Sequence, residues 1–355
     1  MNGNSSLRYY LLFCTRCSSP VMGRKLNLKE EILKLKDKLD VTIVAHFYQR
    51  DEVFDLADIT GDSLELAKKA MADTSKYVLF CGVGFMGESV KVLSPNKRVL
   101  MPKIACCAMA RMIDVDYFDE SLKKLNDSGI TNDDILPITY INSSAAVKAR
   151  VGEMGGMVCT SSNAYKIIEK GLTSGKKIFF VPDRCLGQNF AKKMNLTSAV
   201  IGDGTSLDEA DIICYNGFCS VHQLFTLDDI EFYRNKYEDI LIAVHPECDP
   251  AICDAADYVG STSQLIKYIK ELPIDQKIAV GTEYNMVNRL RQKNTYILSS
   301  TKPECPTMNE TTLQDVYDSL KALENEQEEP YPNEILIDEN VAKWANVALN
   351  RMFEI

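Results

Sequence analysis

A chain of 355 residues has room for two or three domains with sizeable cores, and no apolar run in it approaches the ~20 residues that a membrane-spanning helix needs. An apolar content of 46% and a charged content of 25% are typical of a globular protein. The formal net charge of −10 argues against a nucleic-acid partner, because phosphate backbones bind to basic surfaces, and small molecules are the expected ligands.

The first 25 residues differ from the rest of the chain. They contain four basic side chains and no acidic one, and their apolar run Tyr9–Phe13 is too short for a secretory signal. We predict an N-terminal extension over residues 1–25, with a transit peptide as the alternative. The pair Cys14 and Cys17 has no second pair at matching spacing, which weighs against a metal or redox site there.

Helices and strands alternate along the remainder. The first unit is predicted to contain helix 29–39, strand 41–46, helix 64–72, strand 77–81, helix 86–93 and strand 98–101. The second is predicted to contain strand 138–141, helix 144–150, strand 157–159, helix 164–170, strand 177–181 and strand 199–201. The third is predicted to contain strand 240–245, a strand at Tyr258, helix 263–272, strand 278–280, helix 283–292 and strand 296–298. This alternation predicts parallel sheets, which bind ligands at the carboxyl ends of their strands.

An internal repeat supports this division into units. The chain contains two similar stretches, Val41–Ser63 and Leu241–Thr262. Each is an apolar, β-prone run that ends in a histidine, His46 or His245, and each reaches a glycine 15 positions later. Cys107 follows His46 by 61 positions, and Cys305 follows His245 by 60. Matching spacing over such lengths indicates that the two stretches occupy equivalent places in two related units.

A third copy lies between them. It consists of the β-prone run Ile135–Asn142, the small polar stretch Cys159–Ala164 and the closing Cys219, which follows Tyr140 by 79 positions. We therefore predict an α/β protein of three αβα domains related by a pseudo-threefold axis. The predicted domains are 26–113, 114–222 and 223–320, followed by an acidic linker and a C-terminal helix that packs on the body over 321–355.

The twelve cysteines are not expected to form disulfides. A chain without a convincing secretory signal is predicted to be cytoplasmic, where thiols serve as core residues, metal ligands or catalytic groups. Most of the twelve are expected to be inert core residues. Cys107, Cys219 and Cys305 each close one unit, so a threefold axis would bring them together. Three thiolates fit an open zinc site or an iron–sulfur cluster with one free iron, and spacing alone does not distinguish either from buried thiols.

The chain has only three histidines, His46, His222 and His245, each at a strand end or near one of these cysteines. Imidazole binds carboxylate or phosphate and transfers protons near neutral pH. We therefore predict a functional rather than a structural role for all three.

Short motifs in this order resemble the quinolinate synthetase A protein family of bacterial NAD biosynthesis. The matching residues are HFYQ (46–49), GDS (61–63), GVGFMGES (82–89), the A-x-C of 105–107, YIN (140–142), CTSSNA (159–164), PD (182–183), GFCSVH (217–222), HPEC (245–248), GST (260–262) and CPTM (305–308). The similarity spans about residues 39–312, nearly the whole body of the chain.

The resemblance implies the three-domain fold around a central 4Fe–4S cluster held by Cys107, Cys219 and Cys305. It also implies a reaction, the condensation of iminosuccinate with dihydroxyacetone phosphate to quinolinate with loss of phosphate and two waters. The iminosuccinate would come from L-aspartate oxidase or aspartate dehydrogenase, as a functional partner. The three ligands are the same cysteines that the repeat selects.

The family's functional residues are transferred to this chain by the resemblance alone. The acid–base and orienting groups would be Glu247 as proton acceptor, Tyr48 as donor, and His46, Tyr140 and His245. Substrate binding would involve these side chains and several small polar ones, namely Ser63, Asn142, Ser161, His222, Ser261 and Thr262. Hydroxyls and amides at helix starts are suited to dianions, although the same residues also serve as ordinary helix caps.

The chain departs from the family pattern at Cys106, where the family usually has glycine. We assign the ligand to Cys107, because it occupies the cysteine of the A-x-C motif and the distance set by the repeat. Two other classes of function fit the residues: a zinc or iron hydrolase in which Glu247 activates water, and a non-catalytic iron–sulfur sensor.

Overall fold

The computed structural model describes residues 20–290, 294–325 and 330–354, with side chains from residue 27 onward. Three parallel sheets form the body, as the alternation and the repeat predict. The pair Cys14 and Cys17 lies outside the described residues. No helix within the described ranges combines the length and the apolar character needed to cross a membrane.

The first sheet has strand order β2-β1-β3-β4. Its strands are β1 (Val41–His46), β2 (Ile59–Gly61), β3 (Tyr77–Cys81) and β4 (Arg98–Leu100). Its helices are α1 (Pro20–Leu39), α2 (Asp51–Phe54), α3 (Ser63–Ala72) and α4 (Gly84–Leu93). Alternate residues of β1 enter different cores: Val44 belongs to one apolar cluster, while Ile43 and Ala45 belong to the other. Burial on both faces is characteristic of parallel sheets covered by helices.

The second sheet is larger, with strand order β6-β5-β7-β9-β8. Its strands are β5 (Ile135–Tyr140), β6 (Met157–Cys159), β7 (Lys177–Val181), β8 (Ser198–Val200) and β9 (Ile212–Cys214). Its helices are α5 (Val115–Asp127), α6 (Ala145–Glu153), α7 (Ala164–Leu172) and α8 (Arg184–Lys193). The extra strand accounts for part of the longer spacing between Tyr140 and Cys219.

The third sheet repeats the order of the first, β11-β10-β12-β13. Its strands are β10 (Leu241–Val244), β11 (Tyr258–Val259), β12 (Ile278–Gly281) and β13 (Thr295–Ile297). Its helices are α9 (Leu227–Lys236), α10 (Pro250–Ala255), α11 (Thr262–Glu271) and α12 (Tyr284–Leu290). The chain then adds α13 (Leu313–Glu324), which packs on α1, and α14 (Glu339–Arg351), which packs on α6 and α4.

Equivalent backbone hydrogen bonds show that the three units share one design. In each, the first residue of the helix after the third strand donates its N–H to the carbonyl oxygen two positions before the unit's cysteine. The three bonds are Gly84 to Ala105 (2.8 Å), Arg184 to Gly217 (2.9 Å) and Tyr284 to Pro303 (2.9 Å). Each cysteine is therefore delivered to the same place relative to its own sheet.

The sequence missed several elements. Helices α2, α5, α8, α9 and α13 and strands β2 and β9 were not predicted, and α1 begins at Pro20 rather than at residue 29. Strand β9 has only three residues, too few for a period to show. Helix α8 begins inside what reads as a PDRCLG turn, because the side chain of Asp183 accepts the N–H of Leu186 and caps the helix.

Candidate active site

The carboxyl ends of the three sheets face one cavity of about 650 Å³. Its wall contains His46, Tyr48, Ser63, Cys107, Tyr140, Asn142, Ser161, Cys219, His222, His245, Glu247, Thr262 and Cys305. All the predicted site residues except Ser261 therefore lie on this wall. No Lys or Arg of the described chain lines it, whereas two carboxylates, Asp62 and Glu247, do.

His46 and His245 occupy the same place in two units. The Nδ1 atom of His46 accepts the backbone N–H of Tyr48 (3.1 Å), and Nδ1 of His245 accepts that of Glu247 (3.3 Å). An imidazole nitrogen that accepts a hydrogen bond carries no proton, so both rings are neutral with the proton on Nε2. Burial lowers the pKa of His46 to about 4 and that of His245 to about 3, which agrees with this tautomer.

Glu247 is buried and bonded at both oxygens. Oε1 accepts the hydroxyl of Tyr140 (2.6 Å), and Oε2 lies 2.9 Å from Nδ1 of His222. Burial would raise the pKa of Glu247, but the neighbouring His222 and the hydrogen bonds to His222 and Tyr140 outweigh it and hold that pKa well below its usual range. Burial and the neighbouring Glu247 raise the pKa of Tyr140 far above its usual value. The pair is therefore a carboxylate beside a phenol that keeps its proton.

A chain of hydrogen bonds links Tyr48 to this pair. The Tyr48 hydroxyl lies 3.0 Å from the hydroxyls of both Thr262 and Thr282, and the Thr282 hydroxyl lies 3.1 Å from Nε2 of His222. Burial raises the pKa of Tyr48 well above its usual value, so Tyr48 also keeps its proton. Proton donors and a proton acceptor thus stand on one continuous network.

Thr282 was missed by the sequence analysis, although it links two residues that were found. It directly follows β12, at the position that Gly82 and Pro182 hold in the other units. A register-by-register comparison of the three copies would have placed it at the site. A lone threonine after a strand carries no such signal by itself.

The three cysteines approach the cavity in the same way. Each is followed three residues later by a short 3-10 helix: Ala110–Met112, His222–Leu224 and Met308–Glu310. Backbone N–H groups of Ala110, His222 and Met308 point at the thiols of Cys107, Cys219 and Cys305 respectively. The adjacent Cys106 is exposed and off the cavity wall.

These thiols fit a metal cluster better than they fit free thiolates. Burial raises the pKa of Cys107 to about 12 and moves those of Cys219 and Cys305 upward as well. With no Lys or Arg of the described chain on the cavity wall, a bound metal centre would be the means of stabilising three thiolates there. Backbone N–H groups aimed at sulfur are the hydrogen bonds that cluster ligands use.

A second metal-like group overlaps this one. Ligand atoms of Cys219, His222 and Glu247 all lie within 4.8 Å of one another. His222 and Glu247 are already bonded to each other, so a metal ion bound here would replace that contact. This group is the structural basis of the hydrolase alternative.

The N-termini of three equivalent helices, α3, α7 and α11, meet beside the cavity. Oδ2 of Asp62 accepts the hydroxyls of Ser162 (3.1 Å) and Ser263 (2.6 Å), and Ser162 also lies 3.0 Å from Ser261. Ser261 caps α11 and is fully buried, so its hydroxyl is part of this junction rather than of the cavity wall. Helix N-termini favour anions, and here Asp62 caps α3 and Ser261 caps α11, so that part of their N–H groups is already bonded.

The comparisons with known proteins agree with the motifs. A family model described as "Quinolinate synthetase A protein" matches residues 30–354. The chain belongs to this family. A protein of Helicobacter pylori named quinolinate synthase is 54% identical over 335 residues, which cover 93% of this chain and 98% of that protein. Proteins of the same name from Acidobacterium capsulatum (39% over 350 residues, 93% of each chain) and Streptomyces coelicolor (38% over 343 residues, 91% and 86%) are also similar. The chain is accordingly an enzyme of the quinolinate synthetase A family.

Proposed function

We propose that this enzyme condenses iminosuccinate with dihydroxyacetone phosphate to form quinolinate, phosphate and two waters, and so supplies NAD biosynthesis. The reaction balances without an oxidant or a reductant. One observation supports the proposal above all: three equivalent cysteine loops line the same cavity as a hydrogen-bonded network. That network consists of Tyr48, His222, Glu247 and Tyr140. A source of iminosuccinate, L-aspartate oxidase or aspartate dehydrogenase, is the expected partner. The cytoplasmic location stays a prediction.

Cys107, Cys219 and Cys305 would hold a 4Fe–4S cluster. When bound, such a cluster supplies a Lewis acid at the iron that has no protein ligand. No other cysteine of the described chain lines the cavity, so a four-iron cluster held by these three would have one iron without a cysteine ligand.

The protein's own groups would manage the protons. Glu247 is ionised and buried beside the cavity, and we assign it the role of proton acceptor for a substrate carbon or nitrogen. Its lowered pKa makes it a weak base while it is bonded to His222 and Tyr140, so this role requires the substrate to displace or weaken one of these hydrogen bonds. Tyr48 and Tyr140 keep their protons and would donate hydrogen bonds, or a proton, to oxygens that leave as water. The neutral His46 and His245 present Nε2–H donors, which suit carboxylate and carbonyl oxygens.

The substrates together bring two carboxylates and one phosphate into a cavity without cationic side chains. Ser63 and Thr262 are the first residues of α3 and α11, and Ser161 lies in the turn three residues before α7; these hydroxyls would bind the anionic groups together with backbone N–H groups. Asn142 adds an amide from the loop after β5. This arrangement favours anions through hydrogen bonds and helix dipoles instead of ion pairs.

Anaerobic purification with iron and sulfide analysis, followed by a quinolinate assay, tests the proposal. We expect about four irons and four sulfides per chain, broad visible absorption, and quinolinate formed from both substrates. A colourless protein with one zinc that hydrolyses an ester or amide would instead support a metal ion at Cys219, His222 and Glu247. A protein with a cluster but no turnover of the two substrates would support the sensor.

A further inference from the structure

The three loops that carry the functional residues are held in the same unusual way. In each unit a polar residue stands two positions after His46, Tyr140 or His245. These residues are Tyr48, Asn142 and Glu247, and all three line the cavity. In each loop a single side chain from a helix donates hydrogen bonds to two backbone carbonyls, one on each side of that residue.

The donor differs from loop to loop. Asn189 Nδ2 donates to the carbonyls of Pro246 and Cys248, both at 2.8 Å, and so brackets Glu247. The Cys253 thiol also donates to the carbonyl of Cys248, at 3.7 Å, but among the described residues Asn189 is the side chain that donates to both carbonyl oxygens.

Lys148 brackets Asn142. Its ammonium donates to the carbonyl of Ile141 (2.8 Å) and to that of Ser143. Lys148 is fully buried and has no ion-pair partner within the described residues. Burial lowers its pKa to about 7, an effect that the more distant Glu88 partly offsets. Burying a cation costs free energy, and hydrogen bonds such as those to the two carbonyls reduce this cost.

Arg289 brackets Tyr48. Its guanidinium donates to the carbonyl of Phe47 and to that of Gln49 (2.7 Å), and it pairs with Asp51 at 2.8 Å. A planar fork of donors is suited to two acceptors on one loop.

Two of the three donors are equivalent by the repeat and act between units. Asn189 and Arg289 each lie six residues after a buried carboxylate, Asp183 or Glu283, at the start of α8 or α12. Helix α8 of the second unit reaches the third unit's loop, and α12 of the third unit reaches the first unit's loop. The contacts therefore run around the axis in one direction.

The remaining contact in this cycle would come from Ser89 of α4, six residues after Val83. The hydroxyl of Ser89 donates to Phe85 of its own helix (2.7 Å) and not to the second unit's loop. Its neighbour Glu88 instead accepts the N–H of Ala145 (2.7 Å) at the start of α6, and Lys148 of that same helix brackets Asn142 from within the unit. The chain thus restores the missing contact with a different residue.

We propose that Asn189, Lys148 and Arg289 are positioning residues that fix Glu247, Asn142 and Tyr48 by holding the carbonyls on either side of each. The proposal rests on the proposed function for the roles of the three bracketed residues. Because two of the contacts join different units, the position of each functional group depends on correct docking of the neighbouring unit.

Asn189 gives the sharpest test, because it is only partly buried and its loss should not prevent folding. Asn189→Leu removes both donors at nearly constant volume, and Gln188→Leu on the same helix is the matched control. We expect Asn189→Leu to keep its iron and sulfide but to lose about tenfold or more in kcat with a smaller change in KM. Amide hydrogen exchange of residues 247–249 should become faster in this variant and stay unchanged in the control.

A double variant separates positioning from a general structural role. If Asn189 acts through Glu247, then Asn189→Leu combined with Glu247→Gln should be no slower than Glu247→Gln alone. Fully additive losses, or a variant with unchanged kcat and unchanged loop exchange, would overturn the proposal. Loop exchange is measured without turnover, so a failure of the proposed function in the wild-type enzyme is told apart from a failure of this inference.

Discussion

The first and third units differ from the middle unit at the end of the inner strand. His46 and His245 each accept a backbone N–H at Nδ1, which leaves Nε2–H as a donor in the cavity. The middle unit has Tyr140 at that place, and its hydroxyl donates across to Glu247 of the third unit. The three units therefore share a scaffold but differ in the side chains that it carries. Equivalent positions hold the cysteines, whereas positions that differ between units form the hydrogen-bonded pair of Tyr140 and Glu247.

All three units have the cysteine in common, and we expect the replacement of one cysteine to have the largest effect on iron content and activity. Cys107→Ser removes one of three ligands, so we expect colourless, iron-poor protein without quinolinate formation. Cys106→Gly is the control, because Cys106 is exposed and off the cavity wall. It should stay brown and active. An iron-free Cys106→Gly beside an iron-containing Cys107→Ser would reverse the assignment.

Glu247 lies at the centre of the hydrogen-bond network that differs between the units, in contact with Tyr140 and His222. Glu247→Gln keeps the shape but removes the charge that accepts a proton, so kcat should fall by ~10²–10⁴, the usual contribution of a general base. Iron content should match that of the wild type, and substrate should still protect the protein against thermal unfolding. Near-normal kcat would show that the carboxylate has only a structural role.

Thr282 connects Tyr48 to His222, which in turn contacts Glu247. Thr282→Val replaces the hydroxyl that joins Tyr48 and His222 by a methyl group, and we expect about a tenfold loss in kcat, equivalent to one buried hydrogen bond. Thr282→Ser retains the hydroxyl and should recover most of the activity. Equal losses in both variants would point to packing instead of the hydrogen bonds.

The middle unit also differs because its helix α6 packs against the C-terminal helix α14. A Cβ added at Gly152 would lie 2.1 Å from the carbonyl oxygen of Trp344, so Gly152→Ala must push the two helices apart. We expect the free energy of unfolding to fall by roughly 1–3 kcal/mol, as in other overpacked cores. Gly84→Ala is the control, since its nearest contact is 3.6 Å. Denaturant unfolding of the two variants measures the difference.

The repeat predicted the positions that the three units share, and the family motifs added Tyr48, Asn142 and Glu247, which differ between the units. Each of the three units ends in a cysteine, and the inner strands of two units end in a histidine, His46 or His245. The spacing between these residues therefore marks equivalent positions. Thr282, Lys148 and Asn189 have no counterpart of the same type in the other units. Their contacts join residues that lie far apart in sequence, or join a side chain to backbone carbonyls, which leave no trace in the order of amino acids.

The helices and strands also differed in how well the sequence predicted them. Strands buried on both faces, such as Val41–His46, were found from their apolar runs, whereas helices α5 and α13 were missed although each has a clear apolar face. Helix α9 has weak amphipathic character, and helix α8 begins with a buried cap that only the folded chain reveals. Tertiary contacts decide these elements, and they are not local in sequence.

The ratio of products tests the central claim most directly. Anaerobically purified enzyme, supplied with iminosuccinate and dihydroxyacetone phosphate, should release quinolinate and inorganic phosphate in a one-to-one ratio, and neither substrate alone should give either product. Phosphate released without quinolinate, or in the absence of iminosuccinate, would show that the cavity hydrolyses its ligand and would contradict the condensation.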